Sequence, residues 1–164
     1  MTEILTPFLI ALSLGADVPL AKEIALSPEP PLTLAIAYEE SRLKRDRVSK
    51  AGACGPMQVL PKFSRYSCRE MQGDHGIDAG LETLDYWRRR SETLEQALAH
   101  YNGGNKPGRR ARAYARRVMK RRALESVYLD YSTLAEALNR YHPQRLPSGA
   151  MDFVYLVWRD QYAR

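Results

Sequence analysis

Apolar positions along the chain recur mostly at three- and four-residue intervals, the spacing of one helix face. Leu32, Ala35, Ile36 and Leu43 keep this rhythm behind a proline pair, and Pro31 suits a first helical turn, which predicts a helix over 31–44. A second helix carries Ile77, Leu81, Leu84 and the Tyr86-Trp87 pair. Thr93 with Gln96 forms a capping box ahead of the stripe Leu94, Ala97, Leu98 and Tyr101, and Gly103-Gly104 stops that helix. Ala111, Tyr114, Ala115 and Val118 then share one face of an amphipathic helix whose other face is mostly arginine. Thr133 with Glu136 repeats the capping box, and 151–162 reads as a last helix. Between the first two helices, 48–61 is rich in Gly and Pro and reads as a structured loop or short hairpin. The pattern predicts a mainly α single domain, without internal repeats and with little support for strands.

Composition narrows this picture. The 164 residues, 45% hydrophobic and 27% charged, can bury a core without a disulfide or metal staple. The apolar run over 4–16 contains Pro7 and is shorter than the roughly 20 residues of a membrane span. Glu3 precedes it with no basic residue in front, so it is not expected to serve as a secretory signal. The net charge of +6 is local: 106–122, from Lys106 through Arg122, holds nine basic residues and no acid, leaving 16 basic against 19 acidic elsewhere. Such a stretch is either a solvated helix face or a salt-sensitive surface for wall polymers, lipid phosphates or DNA.

Cys54 and Cys68 are too few for a disulfide framework, and no neighbouring His or Cys completes a zinc spacing. They read as two free thiols in or near the core, with a single bridge as the alternative in an oxidising compartment. No cofactor or metal is expected. On the first helix Glu39 and Glu40 both border the apolar face, so one of them is expected to be partly buried. Burial raises a carboxyl pKa and suits it to general acid catalysis. The alternative is a pair of solvated acids balanced by Arg42, Lys44 or Arg47, and periodicity does not choose between the glutamates.

Three ordered groups of residues do choose. Glu40-Ser41 is followed by Val48-Ser49, Ala51-Gly52-Ala53 and the run from Gly55 through Pro56, Met57, Gln58, Val59 and Leu60 to Pro61; then comes the run from Ala99 through His100, Tyr101, Asn102 and Gly103 to Gly104. Their order and spacing resemble the catalytic domain of soluble lytic transglycosylases, within the lysozyme superfamily, over roughly 30–120. Gly76-Ile77 with Gly80 is similar to that family's glycine-containing helix start. The resemblance implies a goose-type lysozyme-like helical fold that cleaves the β-1,4 bond between N-acetylmuramic acid and N-acetylglucosamine in peptidoglycan, leaving 1,6-anhydromuramoyl ends. By matching position it implies Glu40 as catalytic acid and then base, with Ser49, Gln58, Leu60, Tyr101 and Asn102 lining the sugar groove.

One carboxylate can perform both steps, and a second is hard to place. Were the helix to persist, Asp46 would be turned roughly 240° from Glu40 and displaced about 9 Å. Asp74 and Asp78 could approach only through the fold. Lys44-Arg45 stands where the family usually has Asn, often followed by Pro, so that turn is expected to differ. Cys54, Pro56 and His100 are also departures from the family pattern, and a lone helical histidine is expected to pack rather than react. The expected organisation is an N-terminal helical extension over 1–28 packed on the core, a catalytic core over 29–123, and a C-terminal helical extension of the same domain over 124–164. A monomer is expected, acting on peptidoglycan glycan strands in the periplasm or cell wall, as a phage virion component or endolysin, or else a secretion-associated bacterial enzyme. A hydrolysing muramidase of the same fold, or a wall- or DNA-binding structural protein that kept it, are the other readings.

Overall fold

The computed structural model describes residues 2–127. The helix start at Thr133, the helix over 151–162 and the 124–164 extension beyond residue 127 lie outside the described residues. Seven α-helices are described: α1 (Thr2–Ser13), α2 (Val18–Ala25), α3 (Pro30–Ser41), α4 (Cys68–Gln72), α5 (Gly76–Arg88), α6 (Leu94–Gly103) and α7 (Arg109–Val127), with a 3₁₀ turn at Pro61–Phe63. None of them is long and apolar enough to cross a membrane.

At the centre lies α3. Its six consecutive residues Leu32 to Ala37 are all buried, so the helix is enclosed on every side rather than amphipathic as the Leu32, Ala35, Ile36 and Leu43 spacing suggested. The pair α1 and α2 packs on one side of it through Phe8, Leu9, Leu20 and Ile24. On the other side α5, α6 and α7 contribute Leu84, Leu98 and Val118, joining one continuous core. Pro7 sits inside α1 without ending it, since burial of Phe8, Leu9, Ala11 and Leu12 around it favours the continued helix.

The first predicted helix is shorter than its periodicity suggested. It ends at Ser41 rather than 44, because Arg42 and Leu43 take left-handed backbone conformations (φ 58° and 61°). Two side chains hold the chain in that turn. The buried Ser41 hydroxyl donates to the Ala37 carbonyl (3.0 Å) and accepts from the Lys44 amide (3.1 Å). Arg45, where the family turn differs, reaches Glu23 (2.9 Å) and Asp17 (3.3 Å) and donates to the Gly73 carbonyl, tying the turn to α2 and to the end of α4.

Residues 48–59 form the short hairpin-like loop, with single bridges pairing Cys54 to Val48 and to Val59 rather than a ladder. The free-thiol reading of the cysteines is overturned. Cys54 in this loop and Cys68 at the start of α4 form a disulfide across a Cα separation of 5.4 Å, within the range a bridge requires. Gly55 explains how the two segments come so close: its φ is +76°, and a Cβ there would lie 2.4 Å from the Met71 carbonyl oxygen of α4.

Candidate active site

The end of α3 delivers two consecutive acids, which a helix separates by about 100° around its axis. Glu39 turns toward α7. Its carboxylate meets Arg117 Nε at 2.9 Å and Arg121 Nη2 at 3.1 Å, with only 5% of the side chain exposed. Burial pushes its pKa up, but the two arginines outweigh burial and hold it below the ordinary carboxylate value. The acid is therefore balanced, though by arginines from α7 rather than chiefly by Arg42, Lys44 or Arg47.

Glu40 instead faces the Tyr114 hydroxyl of α7 and the Asn102 amide of α6, and among the described residues no arginine or lysine forms an ion pair with it. Burial pushes its pKa from 4.5 up to about 7, opposed by the Tyr114 hydroxyl and the Asn102 amide, with Glu39 pushing it further up and Arg47 pulling it down. Tyr114 is 3% exposed, and its hydroxyl has no hydrogen-bond partner of ordinary geometry. Both Tyr114 and Tyr101 have phenol pKa values raised by burial and by the Glu40 charge, so they remain neutral donors beside it. A carboxyl titrating near 7 exists in both forms near neutral pH, as a group that gives and then takes a proton requires.

The other expected site residues fall on three elements. Tyr101 and Asn102 occupy the last turns of α6; the exposed Asn102 lowers the Glu40 pKa through its side-chain amide, and the Glu40 charge raises that of Tyr101. The Tyr101 hydroxyl also donates to the Met57 carbonyl (2.7 Å), which ties α6 to the loop that carries Ser49 and Gln58. α5 also meets this loop at Gly80, where a Cβ would lie 2.5 Å from Met57 side-chain atoms, so Met57 is held by both helices. Gln58 adopts φ 51°, and its amide nitrogen donates to the Arg47 (3.0 Å) and Gly55 (2.9 Å) carbonyls, leaving Oε1 as the amide's other polar atom. Ser49 Oγ accepts from the Ala53 amide (3.0 Å), an arrangement that shapes the turn, and Leu60 lies part-buried at the loop exit. Among the described residues no hydrogen bond joins Ser49, Gln58 or Leu60 to Glu40.

The helical argument that separated Asp46 from Glu40 lapses, because α3 stops at Ser41. The structure supplies other grounds. Asp46 is exposed, Asp78 pairs with His75 (3.4 Å), the Asp74 charge acts on Glu23, and the strongest acidic influence on Glu40 is Glu39, itself held by arginines. His100 packs, stacking on Trp87 (5.0 Å between centroids) with Nδ1 2.8 Å from the Gly104 carbonyl. Sequence reasoning missed Tyr114, which it placed with the core stripe. Its hydroxyl was the available signal, since Ala111, Ala115 and Val118 beside it on that stripe carry no polar group. Among the described residues no three His, Cys, Asp or Glu side chains are grouped to hold a metal ion.

The family described as Transglycosylase SLT domain matches this chain over residues 20–124, a span that runs from α2 into α7. No curated protein and no solved structure matches it.

Proposed function

The chain belongs to the Transglycosylase SLT domain family, a peptidoglycan-cleaving type of lysozyme-like helical domain, and from that premise we propose that it is a lytic transglycosylase acting on the β-1,4 bond between N-acetylmuramic acid and N-acetylglucosamine. Glu40 is the acid and then the base. In the first step its proton passes to the glycosidic oxygen as the bond from that oxygen to muramic acid C1 breaks. In the second the Glu40 carboxylate takes the proton of the muramic C6 hydroxyl as that oxygen bonds to C1, closing the 1,6-anhydro ring. No water is consumed, and Glu40 ends protonated as it began.

The observation that carries this reading is a part-buried carboxyl raised to about 7 on which, among the described residues, Glu39 is the acid that acts. Two-carboxylate glycosidases hold the pair about 5 to 5.5 Å apart for retention, or about 6.5 to 9.5 Å for inversion with a water between. Glu39, the adjacent residue in the chain, is engaged with arginines instead. Ser49, Gln58, Leu60, Tyr101 and Asn102 line the groove that receives the glycan strand, with Asn102 and the Gln58 carbonyl oxygen available to the sugar's polar groups.

Mass spectrometry of purified sacculi digested with the protein tests this. Anhydromuramoyl ends are expected; reducing ends would make it a hydrolysing muramidase, and no products would leave a binding protein on an enzyme's fold.

A further inference from the structure

α7 turns one stripe of side chains toward α3. Tyr114, Arg117 and Arg121 recur at i, i+3 and i+7 and so line up along one side of the helix. The first of them acts on Glu40; the other two hold Glu39. Both Glu39 oxygens are engaged, Oε2 by Arg117 Nε at 2.9 Å and Oε1 by Arg121 Nη2 at 3.1 Å and Nε at 3.3 Å. Arg121 also lies 3.9 Å from the Tyr38 ring centroid, and Arg42 lies 4.4 Å from the same centroid and 3.9 Å from Glu39 Oε1. An exposed ion pair would contribute little. A carboxylate only 5% exposed is different, because removing one partner leaves a nearly enclosed charge uncompensated.

Glu39 and Glu40 are consecutive, so whatever fixes Glu39 to α7 also fixes where α7 lies along Glu40. We propose, resting on the reading of Glu40 as the catalytic acid and base, that Glu39, Arg117 and Arg121 form a positioning cluster for it. The arginines hold α7 in the register that lays Tyr114 beside Glu40, and the balance of one carboxylate against two guanidiniums sets the charge that Glu40 faces. The remaining groups around Glu40 are Tyr101 and Asn102 from α6, Tyr114 from α7 and Arg47 from the loop after α3. Arg42, 3.9 Å from Glu39 Oε1, and Arg47 are cations outside the cluster and are the same in every variant.

Opposite perturbations of the cluster have opposite signs. Glu39→Gln removes a negative neighbour and leaves two guanidiniums unbalanced, which disfavours a proton on Glu40. Arg117→Gln with Arg121→Gln leaves Glu39 with the longer Arg42 contact and more of its negative charge uncompensated, which favours one. The experiment is a carbon-13 NMR titration of the Glu40 carboxyl in the full chain, run beside the pH profile of sacculus turnover. Glu39→Gln is expected to lower the Glu40 midpoint by about half a unit or more, and the double arginine variant to raise it by a similar amount. The pair Arg117→Lys with Arg121→Lys, which keeps the charge, should restore the wild-type midpoint. The pH limb of turnover should follow each shift. If the double variant does not fold, Arg117→Gln alone carries the same sign at a smaller size. A midpoint that stays put, or moves the same way in both directions of charge change, overturns the proposal. Turnover that persists in Glu40→Gln overturns the assignment of Glu40 itself, a result read independently of the titration.

Discussion

Replacing Glu40 with Gln is expected to stabilise the fold while it stops turnover, and the gain should grow with pH. In the folded protein burial raises this carboxyl from 4.5 to about 7. At about 1.4 kcal/mol per pH unit, the fold prefers the protonated form by about 3 kcal/mol. The folded pKa lies above the unfolded one, so between the two values the folded state binds more protons and stability falls as pH rises. Below about pH 4 both states are protonated and Glu40 costs nothing of this kind. Above about pH 7 the cost is complete, and partial solvent access reduces it to about 2–3 kcal/mol. Gln keeps the shape and carries no titrating proton. Urea unfolding of both proteins at pH 4 and pH 8 measures the difference, because titrating groups that are not coupled to Glu40 cancel between them. The expected gain is near zero at pH 4 and about 2–3 kcal/mol at pH 8. A gain no larger at pH 8 than at pH 4 would refute the claim that a buried, uncompensated carboxyl sits at this position.

Three further outcomes follow from the structure. Cys54→Ser with Cys68→Ser should cost about 3 kcal/mol in urea unfolding, the figure expected for opening a loop of this length; intact wild type showing two alkylatable thiols under non-reducing conditions would contradict the bridge. Gly55→Ala should cost about 2 kcal/mol or more, since a methyl at φ +76° would meet the Met71 carbonyl, and an unchanged melting temperature would exclude that contact. The basic face needs a narrower test than the whole 106–122 run, because Arg117 and Arg121 hold Glu39 and Arg122 reaches Glu29 (3.6 Å). Replacing the exposed Arg109, Arg110, Arg116 and Lys120 with Gln should weaken sacculus binding and flatten its salt dependence, and identical salt curves would make this a solvated face only.

Local pattern was enough for much of the helical framework. The Thr93–Gln96 capping box, the stop at Gly104 and the buried Ala111, Tyr114, Ala115 and Val118 stripe appear where spacing put them, because caps and helix faces depend on residues within a turn or two. The motif order likewise marked the chain's family, and matching position singled out Glu40.

What tertiary structure decided lies at longer range. α3 ends at Ser41 in a left-handed turn that Ser41 holds locally and Arg45 holds through Asp17 and Glu23, more than twenty residues away, and the apolar spacing through Leu43 carries no trace of that second hold. Cys54 and Cys68 pair because Gly55 lets the loop touch α4, a distance that residue counts do not contain. The contrast between Glu39 and Glu40 is the clearest case. They are the same residue type on the same helix, one turned to arginines 78 and 82 positions along the chain and the other to a buried tyrosine and burial itself. A carboxyl's proton affinity is set by the charges and solvent around it, and only the packing of α7 on α3 determines which glutamate receives which surroundings.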